Sequence, residues 1–440
     1  MQTSKINTAK QIPNDRLVRI CYSCLLLLIL PLFLLFLFSK AEKRSSGFFA
    51  RIKERFGILP KPTKTGGVLF HCVSVGEVTA ATPVVKYIQQ NLPEIAITIT
   101  TTTPTGSAQV VQTFSDTVNH CYLPFDFPVF VNQLLAIYQP EKLVITEVEL
   151  WPNLIHACHK KHIKTFILNA RLTDKSAKSY GKLASLIKPM LLKIDGICAQ
   201  SKRDLENYQK LCPNLQSLHL TGNLKFDQKL QPQERQLTAQ LRSELFAEQR
   251  PVIIAASTHE PEEESLIEAC KSIWQTYPEV LLLLVPRHPQ RFETVRNICR
   301  EHRLSVQMLS DNEPISANTQ VLIADKMGML KSLYGLADMA FVGGSIANKG
   351  GHNALEAALH SIPVIMGPNI YNNPGICDAL QQAGALKVVP DSSEMTTVFR
   401  CWLHDKTLAQ RAGQSGHQVI SQNAGALQKQ LSVLEINGAL

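Results

Sequence analysis

The sequence predicts an α/β protein made of two doubly wound domains, each built on a parallel sheet. Short apolar runs rich in β-branched residues alternate along the chain with segments of helical periodicity. This alternation stops at a polar, charged stretch, 231–250, and then begins again. Groups of polar residues follow the apolar runs, where parallel sheets of this kind hold their ligands. These observations favour two tandem domains with a cleft between them.

The apolar runs are predicted to be buried strands, and they divide the chain into domains. In the first half they are Val68–Val73, Ile95–Thr101, Leu143–Ile145, Thr165–Leu168 and Gly196–Ala199. In the second half they are Val252–Ala256, Val280–Val285, Gln320–Ile323, Met339–Val342 and Pro363–Met366. The predicted parts are an N-terminal segment, 1–45, a first domain, 46–230, a linker region with one surface helix, 231–250, and a second domain, 251–440.

The N-terminal segment contains an uncharged, apolar stretch, Ile20–Ser39. As a helix it would extend about 30 Å, the thickness of a bilayer core. A cleavable signal peptide is the alternative, because Ser39-Lys40-Ala41 faintly resembles a cleavage site. The stretch is, however, longer than the roughly 7–15 residues of a signal-peptide core. The sequence therefore predicts an uncleaved membrane anchor, and Pro31 leaves open a kinked or partly inserted helix.

The formal net charge of +9 is concentrated after the apolar stretch. The basic residues there are Lys40, Lys43, Arg44, Arg51, Lys53, Arg55, Lys61 and Lys64. Such a cluster beside a membrane segment is typical of contact with anionic lipid, and it predicts a body that faces the cytoplasm. No RNA-binding or zinc spacing occurs, so nucleic acid is not an expected partner. The 11 cysteines lie mostly in apolar runs, which indicates a reducing compartment.

Carboxylates follow two of the predicted strands. Glu77 lies in the first turn of a predicted helix, where it either interacts with the helix dipole or serves as a general base for a substrate in the cleft. Glu147 and Glu149 share the turn before Pro152, which suits the first turn of a helix. One of these two is expected to cap that helix and the other to face the cleft.

In the second domain, Gly343, Gly344, Gly350 and Gly351 lie between a strand and a helical pattern that opens near Asn353. Glycines let the backbone approach a phosphate, and a helix N-terminus offers unpaired N–H groups. The alternative is an ordinary turn, with Asn353 as N-cap and a capping-box glutamate at position 356.

Arg287 follows another strand of this domain and is either a phosphate ligand or a solvated loop residue. No Asp-x-Asp pair is present, and His156, His159 and His162 have the spacing of a solvated helix face. A metal-dependent enzyme is therefore not favoured.

Taken in order, these motifs closely resemble the 3-deoxy-D-manno-octulosonic acid (Kdo) transferases of lipopolysaccharide assembly. The resemblance covers nearly the whole chain, from the anchor and ERFG (Glu54–Gly57) onward. The further motifs are SVGE, TTTPTG, EVELWPN, NARL, SKRD, TGNLKFD, STHEPEE, VPRHPQRF, the FVGGS–GGHN–LEAA stretch and MGP.

The resemblance implies a GT-B fold of two Rossmann-like domains. It implies transfer of Kdo from its cytidine monophosphate conjugate, CMP-Kdo, to the lipid A precursor, lipid IVA, at the inner (cytoplasmic) membrane. Transfer is expected to proceed with inversion and without a metal or other cofactor. Glu77 is implied as the catalytic base, and Glu147 and Glu149 remain candidate acceptor-side or transition-state carboxylates. The implied nucleotide pocket comprises Pro286, Arg287, Met327, Gly328, Met329, Asn353, Ala354, Leu355 and Glu356, with Glu356 holding the ribose hydroxyls.

Three positions depart from the family's usual pattern: Met329 stands for Glu, Pro261 for Gly and Val148 for Thr. The first changes the side chain at that position, while the implied backbone contact does not depend on the side chain. The alternative function is another membrane-associated transferase, or a nucleotide-sugar epimerase, on the same fold. The number of Kdo residues transferred is left open by the sequence.

Overall fold

The computed structural model describes residues 15–40, 51–245 and 250–436. The chain divides into two compact units. The first runs to Leu224 and takes up the chain again from Gly425, and the second comprises Lys225–Ala424. Each unit is built on a seven-stranded sheet. Every strand pairing is parallel, which confirms the predicted pair of parallel α/β domains.

The sheet of the first unit has the strand order β3-β2-β1-β4-β5-β6-β7. Its strands are β1 (Val68–His71), β2 (Ile97–Thr101), β3 (Asn119–Tyr122), β4 (Lys142–Thr146), β5 (Lys164–Ala170), β6 (Gly196–Ala199) and β7 (Leu218–Leu220). Its helices are α1 (Arg16–Lys40), α2 (Ile52–Arg55), α3 (Val75–Asn91), α4 (Pro104–Phe114), α5 (Pro128–Tyr138), α6 (Pro152–Lys160), α7 (Asp174–Gly181), α8 (Ala184–Leu191) and α9 (Lys202–Leu211).

The sheet of the second unit has the order β10-β11-β9-β8-β12-β13-β14. Its strands are β8 (Val252–Thr258), β9 (Leu281–Pro286), β10 (Val306–Met308), β11 (Val321–Ile323), β12 (Met339–Val342), β13 (Val364–Met366) and β14 (Leu386–Val388). Its helices are α10 (Pro232–Leu245), α11 (Glu262–Trp274), α12 (Phe292–Glu301), α13 (Leu330–Tyr334), α14 (Leu355–Leu359), α15 (Pro374–Gln382), α16 (Ser392–His404) and α17 (Lys406–Asn423). One further helix, α18 (Ala426–Val433), belongs to the first unit.

The central strands are almost entirely buried, because helices cover both faces of a parallel sheet. All residues of β1 and β2 are buried. In the register of the first sheet, Phe70 of β1 lies opposite Ile99 of β2 on one side and Val144 of β4 on the other. The carboxyl ends of these three strands therefore lie side by side, and the loops that follow them form one edge. In the second sheet β8 has the same position, between β9 and β12.

Every run predicted to be a strand overlaps an observed strand, with boundaries that differ by a few residues. The strands that the apolar pattern misses are β3, β7, β10 and β14. These four are the outermost strands of the two sheets. They are less apolar than the central strands, as the sequence of β7, Leu-His-Leu, shows.

The domain boundaries differ from the predicted ones in two places. Helix α10, in the segment predicted as a linker, belongs to the second unit, where Leu241 and Leu245 are part of the core and Thr238 Oγ1 donates to the Ser332 carbonyl (2.8 Å). Helix α18 belongs to the first unit instead of the second. Its buried Gln430 accepts from Asn169 N and donates to the Gly222 carbonyl, both at 2.9 Å. The chain therefore returns to the first unit at its end.

Helix α1 contains the stretch predicted to be an anchor and lies against the first unit by one side. Asp15, just before the helix, forms a buried ion pair with Lys193 and a second one with Arg19 (3.1 Å). Ser23 Oγ accepts from Asn153 Nδ2 (3.0 Å). In the stretches 15–40, 51–245 and 250–436, no helix has both the length and the apolar character required to cross a membrane. A spanning anchor over Ile20–Ser39 is thus not shown, and the other residues of the predicted 1–45 segment, 1–14 and 41–45, lie outside the described chain.

The basic residues of the ERFG region have structural partners within the first unit. Arg51 bonds Glu54 (2.6 Å) and donates to Ser107 Oγ (3.0 Å). Arg55 donates to the Thr102 carbonyl (2.6 Å) and lies 4.4 Å from the ring centroid of Tyr122. These two arginines are therefore part of the fold as well as of the basic cluster. Lys43 and Arg44 lie outside the described residues.

Candidate active site

Glu77 lies where the sequence predicts it, in the first turn of α3 beyond the carboxyl end of β1. Its Oε2 accepts from Val73 N (2.7 Å), and its Oε1 accepts weakly from Ser74 Oγ (3.5 Å). The carboxylate therefore stabilises the start of the helix, as the helix-dipole interpretation of Glu77 expects. It is half-buried, so it also keeps a face that a substrate can reach.

The surroundings of Glu77 favour its protonated form. Burial is the main cause and raises the pKa of Glu77 to about 8, and the nearby carboxylates Glu147 and Glu149 raise it further. The hydrogen bonds from Val73 and Ser74 act in the opposite direction. A carboxyl group whose pKa lies near neutral pH can both accept and return a proton, as a general base must.

Glu147 and Glu149 follow β4 in the loop next to β1. Glu147 has a left-handed backbone, with φ of 62°, which is uncommon for a residue other than glycine. Its N–H donates to the Leu168 carbonyl (2.9 Å), so the sheet holds this turn in place. Burial raises the pKa of Glu149. The structure thus brings three carboxylates together at one edge of the first sheet.

The prediction that Glu147 or Glu149 caps α6 is wrong, because a third carboxylate has that role. Asp126 accepts from Asn153 N and Leu154 N, both at 2.9 Å, in the first turn of α6. Asp126 is buried and lies in the loop after β3. It is far from α6 in the sequence, so the motif around Pro152 does not indicate this contact. Both glutamates of the turn are therefore free of the capping role.

The TTTPTG motif forms the neighbouring loop, after β2. Thr103 caps α4 by accepting from Gly106 N (3.1 Å), and it donates to the Val73 carbonyl (2.8 Å). A side chain at Gly106 would place its Cβ 2.9 Å from Thr103 Oγ1 and 3.1 Å from the Val73 carbonyl. Glycine is therefore required for the close approach of this loop to the Glu77 loop.

Trp151 is a residue of this edge that sequence reasoning does not single out. Its Nε1–H donates to His71 Nε2 (3.3 Å), and His71 Nδ1 lies 3.0 Å from Thr100 Oγ1. Full burial lowers the pKa of His71 to about 4, so the ring is neutral and can accept this bond. The chain of contacts fixes the EVELWPN loop over the end of β1.

In the second unit, Arg287 follows β9 directly, and its side chain is exposed. Its N–H donates to the Thr258 carbonyl at the end of β8 (3.0 Å). Burial raises the pKa of Glu356, while Lys331 and Arg287 lower it. The structure therefore places Arg287, Lys331 and Glu356 close enough to interact, as a site for a charged and hydroxylated ligand requires.

The glycine-rich stretch differs from the phosphate-binding loop that the sequence suggests. The carboxylate of Glu262, which is fully buried, accepts from the N–H groups of Gly344, Ser345 and Ile346, each at 2.9 Å, and of Ala347 at 3.2 Å. These N–H groups already have an anion, which the protein itself supplies. The assignment of this stretch to the leaving phosphate is thus corrected: it is a loop held by an internal carboxylate.

Helix α14, which follows the glycine stretch, is a single turn. Asn353 Oδ1 accepts from Leu355 N (3.2 Å), so Asn353 stabilises the turn. The N-cap is however Ala354, and the predicted capping box between Asn353 and Glu356 is not formed among the described residues. Ala354 and Leu355 are buried in the core, and Asn353 and Glu356 are half-buried. Of these four residues, which the resemblance assigns to the nucleotide pocket, only Asn353 and Glu356 have side chains outside the core.

The remaining predicted pocket residues lie on a loop after β11 and at the end of β9. Met327 is exposed, Gly328 has φ of +83°, and Met329 packs against the core at the start of α13. Pro286 is buried as the last residue of β9. No described contact joins Met327 to Arg287 or Glu356, so its place in a nucleotide pocket stays a prediction.

Three histidines next to Arg287 are not predicted as site residues from the sequence. His259 and His352 have stacked rings with their Nε2 atoms 2.9 Å apart, and the ring of His288 lies edge-on, 5.3 Å from His259. Burial and the positive charge of Arg287 lower the pKa of His352 to about 4. His352 is therefore neutral at pH 7, and its ring shares a hydrogen bond with that of His259. Within the described ranges, no group of three His, Cys, Asp or Glu residues is arranged to hold a metal ion.

Solved structures define the class of fold. UDP-GlcNAc 2-epimerase from Neisseria meningitidis, bound to UDP-GlcNAc, matches with a TM-score of 0.58 over 84% of this chain and 100% of that chain, at 13% identity. Another UDP-N-acetylglucosamine 2-epimerase matches with a TM-score of 0.56 over 85% and 98%, at 15% identity. At such low identity the likeness concerns the fold alone. The chain has the two-domain parallel α/β architecture of these proteins.

The family follows from sequence relatives. The chain is 39% identical over 423 residues to the 3-deoxy-D-manno-octulosonic acid transferase of Haemophilus influenzae, covering 95% of this chain and 98% of that protein. It is 31% identical over 424 residues to the transferase of Bordetella pertussis, covering 92% and 96%. Residues 50–228 match the family described as 3-deoxy-D-manno-octulosonic-acid transferase (kdotransferase). The chain belongs to the Kdo transferase family and is a glycosyltransferase of lipopolysaccharide biosynthesis, as the resemblance predicts.

Proposed function

We propose that this Kdo transferase uses CMP-Kdo as donor and the lipid A precursor lipid IVA as acceptor, with inversion at the anomeric carbon. The observation that carries the proposal is the position of Glu77 beside Glu147 and Glu149, with its pKa raised to about 8. An acceptor hydroxyl is a weak acid, so a base that accepts its proton only as the new bond forms is the chemistry this site suits.

The reaction proceeds by direct displacement. The acceptor hydroxyl gives its proton to the Glu77 carboxylate, and its oxygen forms a bond to the anomeric carbon of Kdo. The bond from that carbon to the phosphate oxygen breaks, and cytidine monophosphate leaves with the electron pair. Arg287 offsets the charge of the leaving phosphate. Glu356 holds the ribose hydroxyls, and the glycine stretch keeps the nearby backbone rigid through Glu262. No metal or other cofactor takes part.

Mass spectrometry of the products tests this function. Purified full-length protein in detergent is incubated with lipid IVA and CMP-Kdo, and in parallel with uridine diphosphate sugars. We expect the acceptor to gain the mass of one or more Kdo residues only with the cytidylate donor, and the number gained to be read from the product. Turnover of a uridine diphosphate sugar, with none of CMP-Kdo, would instead favour a different transferase or an epimerase.

We also infer that α1 holds the enzyme at the cytoplasmic face of the inner membrane. Supporting this, the side of α1 that faces away from the body exposes large apolar residues, with Leu17 73% and Leu32 67% exposed. A continuous apolar surface of this kind binds to the lipid interface. The basic residues Lys53 and Lys61, both exposed, are suited to anionic headgroups.

Sedimentation with vesicles that contain anionic lipid tests the membrane inference. The double variant Leu17→Asp, Leu32→Asp should lose most of its vesicle binding. The control, Val129→Asp, alters a residue of the same unit that is 69% exposed on α5, and it should bind like the unaltered protein. Equal binding by all three proteins would contradict the role given to α1.

A further inference from the structure

A cavity of about 370 Å³ lies between α1 and the body of the first unit. Its volume is within the range of small-ligand pockets. The α1 side is formed by Leu26, Ile29 and Leu30, and the opposite side includes Phe125, Phe127 and Trp151. The wall is mainly apolar, which is the surface that a hydrocarbon chain requires.

The polar groups at this wall are engaged in the fold. Asp126 receives the N–H groups of Asn153 and Leu154. Arg55 donates to the Thr102 carbonyl and stacks on Tyr122. A ligand in this cavity would therefore meet apolar side chains rather than an unsatisfied charge.

The cavity lies next to the carboxylate cluster. Thr102 is part of the wall, and its N–H donates to the Val73 carbonyl (3.4 Å), while Val73 N donates to Glu77. Trp151, on another part of the wall, is two residues after Glu149 in the same loop. A ligand with an apolar tail in this cavity would thus carry its head group toward the proposed base.

Helix α1 is fixed in place as one wall of the cavity. The buried Asp15–Lys193 ion pair and the Ser23–Asn153 hydrogen bond hold the preceding turns against the body. On the other side of the same helix, Leu28 is 71% exposed. The helix therefore separates the cavity from the surface that we assign to the membrane.

We propose that this cavity binds one acyl chain of the acceptor glycolipid and so positions a sugar hydroxyl at Glu77. The inference rests on the proposed function, because it concerns the acceptor of that reaction. It assigns α1 a second role, as a wall of the acceptor site in addition to a membrane contact.

Filling the cavity tests the proposal. Leu30→Trp adds bulk inside it, and the matched control Leu28→Trp adds the same side chain to the outer side of α1. With lipid IVA dispersed in detergent, we expect Leu30→Trp to lower kcat/KM roughly tenfold or more, mainly through KM, and Leu28→Trp to leave it unchanged. CMP-Kdo binding should be the same in both variants. Equal losses in the two variants, or no loss in Leu30→Trp, would overturn the proposal.

A binding measurement keeps the test independent of turnover and of the folding of Leu30→Trp. Lipid IVA with a brominated acyl chain should quench the fluorescence of Trp151 in a saturable way, without donor present. The part of the quenching due to Trp151 is the difference from the Trp151→Phe protein, which retains the other two tryptophans of the chain. Competition by unbrominated lipid IVA but not by phospholipid is expected.

Two outcomes of this measurement would overturn the acyl-chain site. One is the absence of any difference between the unaltered and Trp151→Phe proteins, and the other is equal competition by phospholipid. If the protein transferred Kdo normally in either case, only the cavity inference would fail. If quenching were saturable but no Kdo were transferred, the proposed reaction would fail and the glycolipid site would stand.

Discussion

Glu77 and Glu262 occupy equivalent places in the two units and are used in opposite ways. Each lies in the first turn of the helix that follows a central strand, β1 in the first sheet and β8 in the second. Glu77 accepts from one backbone N–H and one hydroxyl and stays half-buried beside two other carboxylates. Glu262 is fully buried and accepts from five backbone N–H groups, of Gly344, Ser345, Ile346, Ala347 and His259. A carboxylate saturated with donors stabilises a loop, whereas one with few donors is available for chemistry.

The largest effect that we expect on stability comes from removing the saturated carboxylate. Glu262→Ala would leave the buried N–H groups of the glycine stretch without an acceptor, and each such group costs about 1–3 kcal/mol. We expect a loss of about 3 kcal/mol or more in the free energy of unfolding, measured by urea denaturation. The control Glu264→Ala changes an exposed residue of the same helix turn and should have little effect. Similar midpoints for the two variants would mean that the Glu262 contacts contribute little.

A smaller effect should appear in the pH dependence of the reaction. Burial, followed by the neighbouring carboxylates, raises the pKa of Glu77 to about 8, so kcat/KM should rise with pH and level off above that value. Glu147→Gln removes one negative neighbour and should move this acid limb to lower pH. An acid limb that stays in place in Glu147→Gln would show that a different group titrates.

The raised pKa of Glu77 also makes the stability of the protein depend on pH. Because the folded-state pKa of Glu77 is raised, its protonated form contributes stability that is fully present below the ordinary carboxyl pKa near 4.5. This contribution is lost as the pH rises through about 8. In Glu77→Gln that part of the pH dependence of unfolding should disappear, as thermal denaturation at several pH values would reveal.

The smallest effect expected is that of a chelator. In the proposed reaction Arg287, and not a metal ion, offsets the negative charge of the leaving phosphate. Turnover should therefore persist when the enzyme is dialysed against a strong chelator. Loss of activity on chelation, with recovery on addition of magnesium or zinc, would contradict the assignment to Arg287.

The sequence predicts the centre of each sheet well and its edges poorly. Central strands such as β1 and β12 are buried on both faces, so they stand out as continuous apolar runs. The missed strands are all outermost and include polar or charged residues, as in Asn-His-Cys-Tyr of β3 and Leu-Lys-Val of β14. An outer strand needs fewer apolar residues, so its sequence carries little signal.

The site shows a similar division between local and distant contacts. The place of Glu77 follows from its own motif, because a strand end and a helix start are local features. The partners of the glycine stretch and of the α6 N-terminus do not. Glu262 reaches the glycine stretch from helix α11, and Asp126 reaches α6 from the loop after β3. A glycine-rich loop looks the same in sequence whether its N–H groups bind a ligand or an internal carboxylate, and only the fold distinguishes the two.

The central claim is that Glu77 is the general base, and the single-turnover rate of Glu77→Gln tests it most directly. Glutamine keeps the size and one hydrogen-bonding oxygen but cannot accept the proton. We expect the rate to fall by about 10²–10⁴-fold, with donor binding nearly unchanged and a stability loss of about 1 kcal/mol or less. The control Glu94→Gln, at an exposed carboxylate of the same unit, should react at the normal rate. A normal rate in Glu77→Gln, with a lowered thermal midpoint, would make Glu77 a helix cap and direct the search for the base to Glu147 and Glu149.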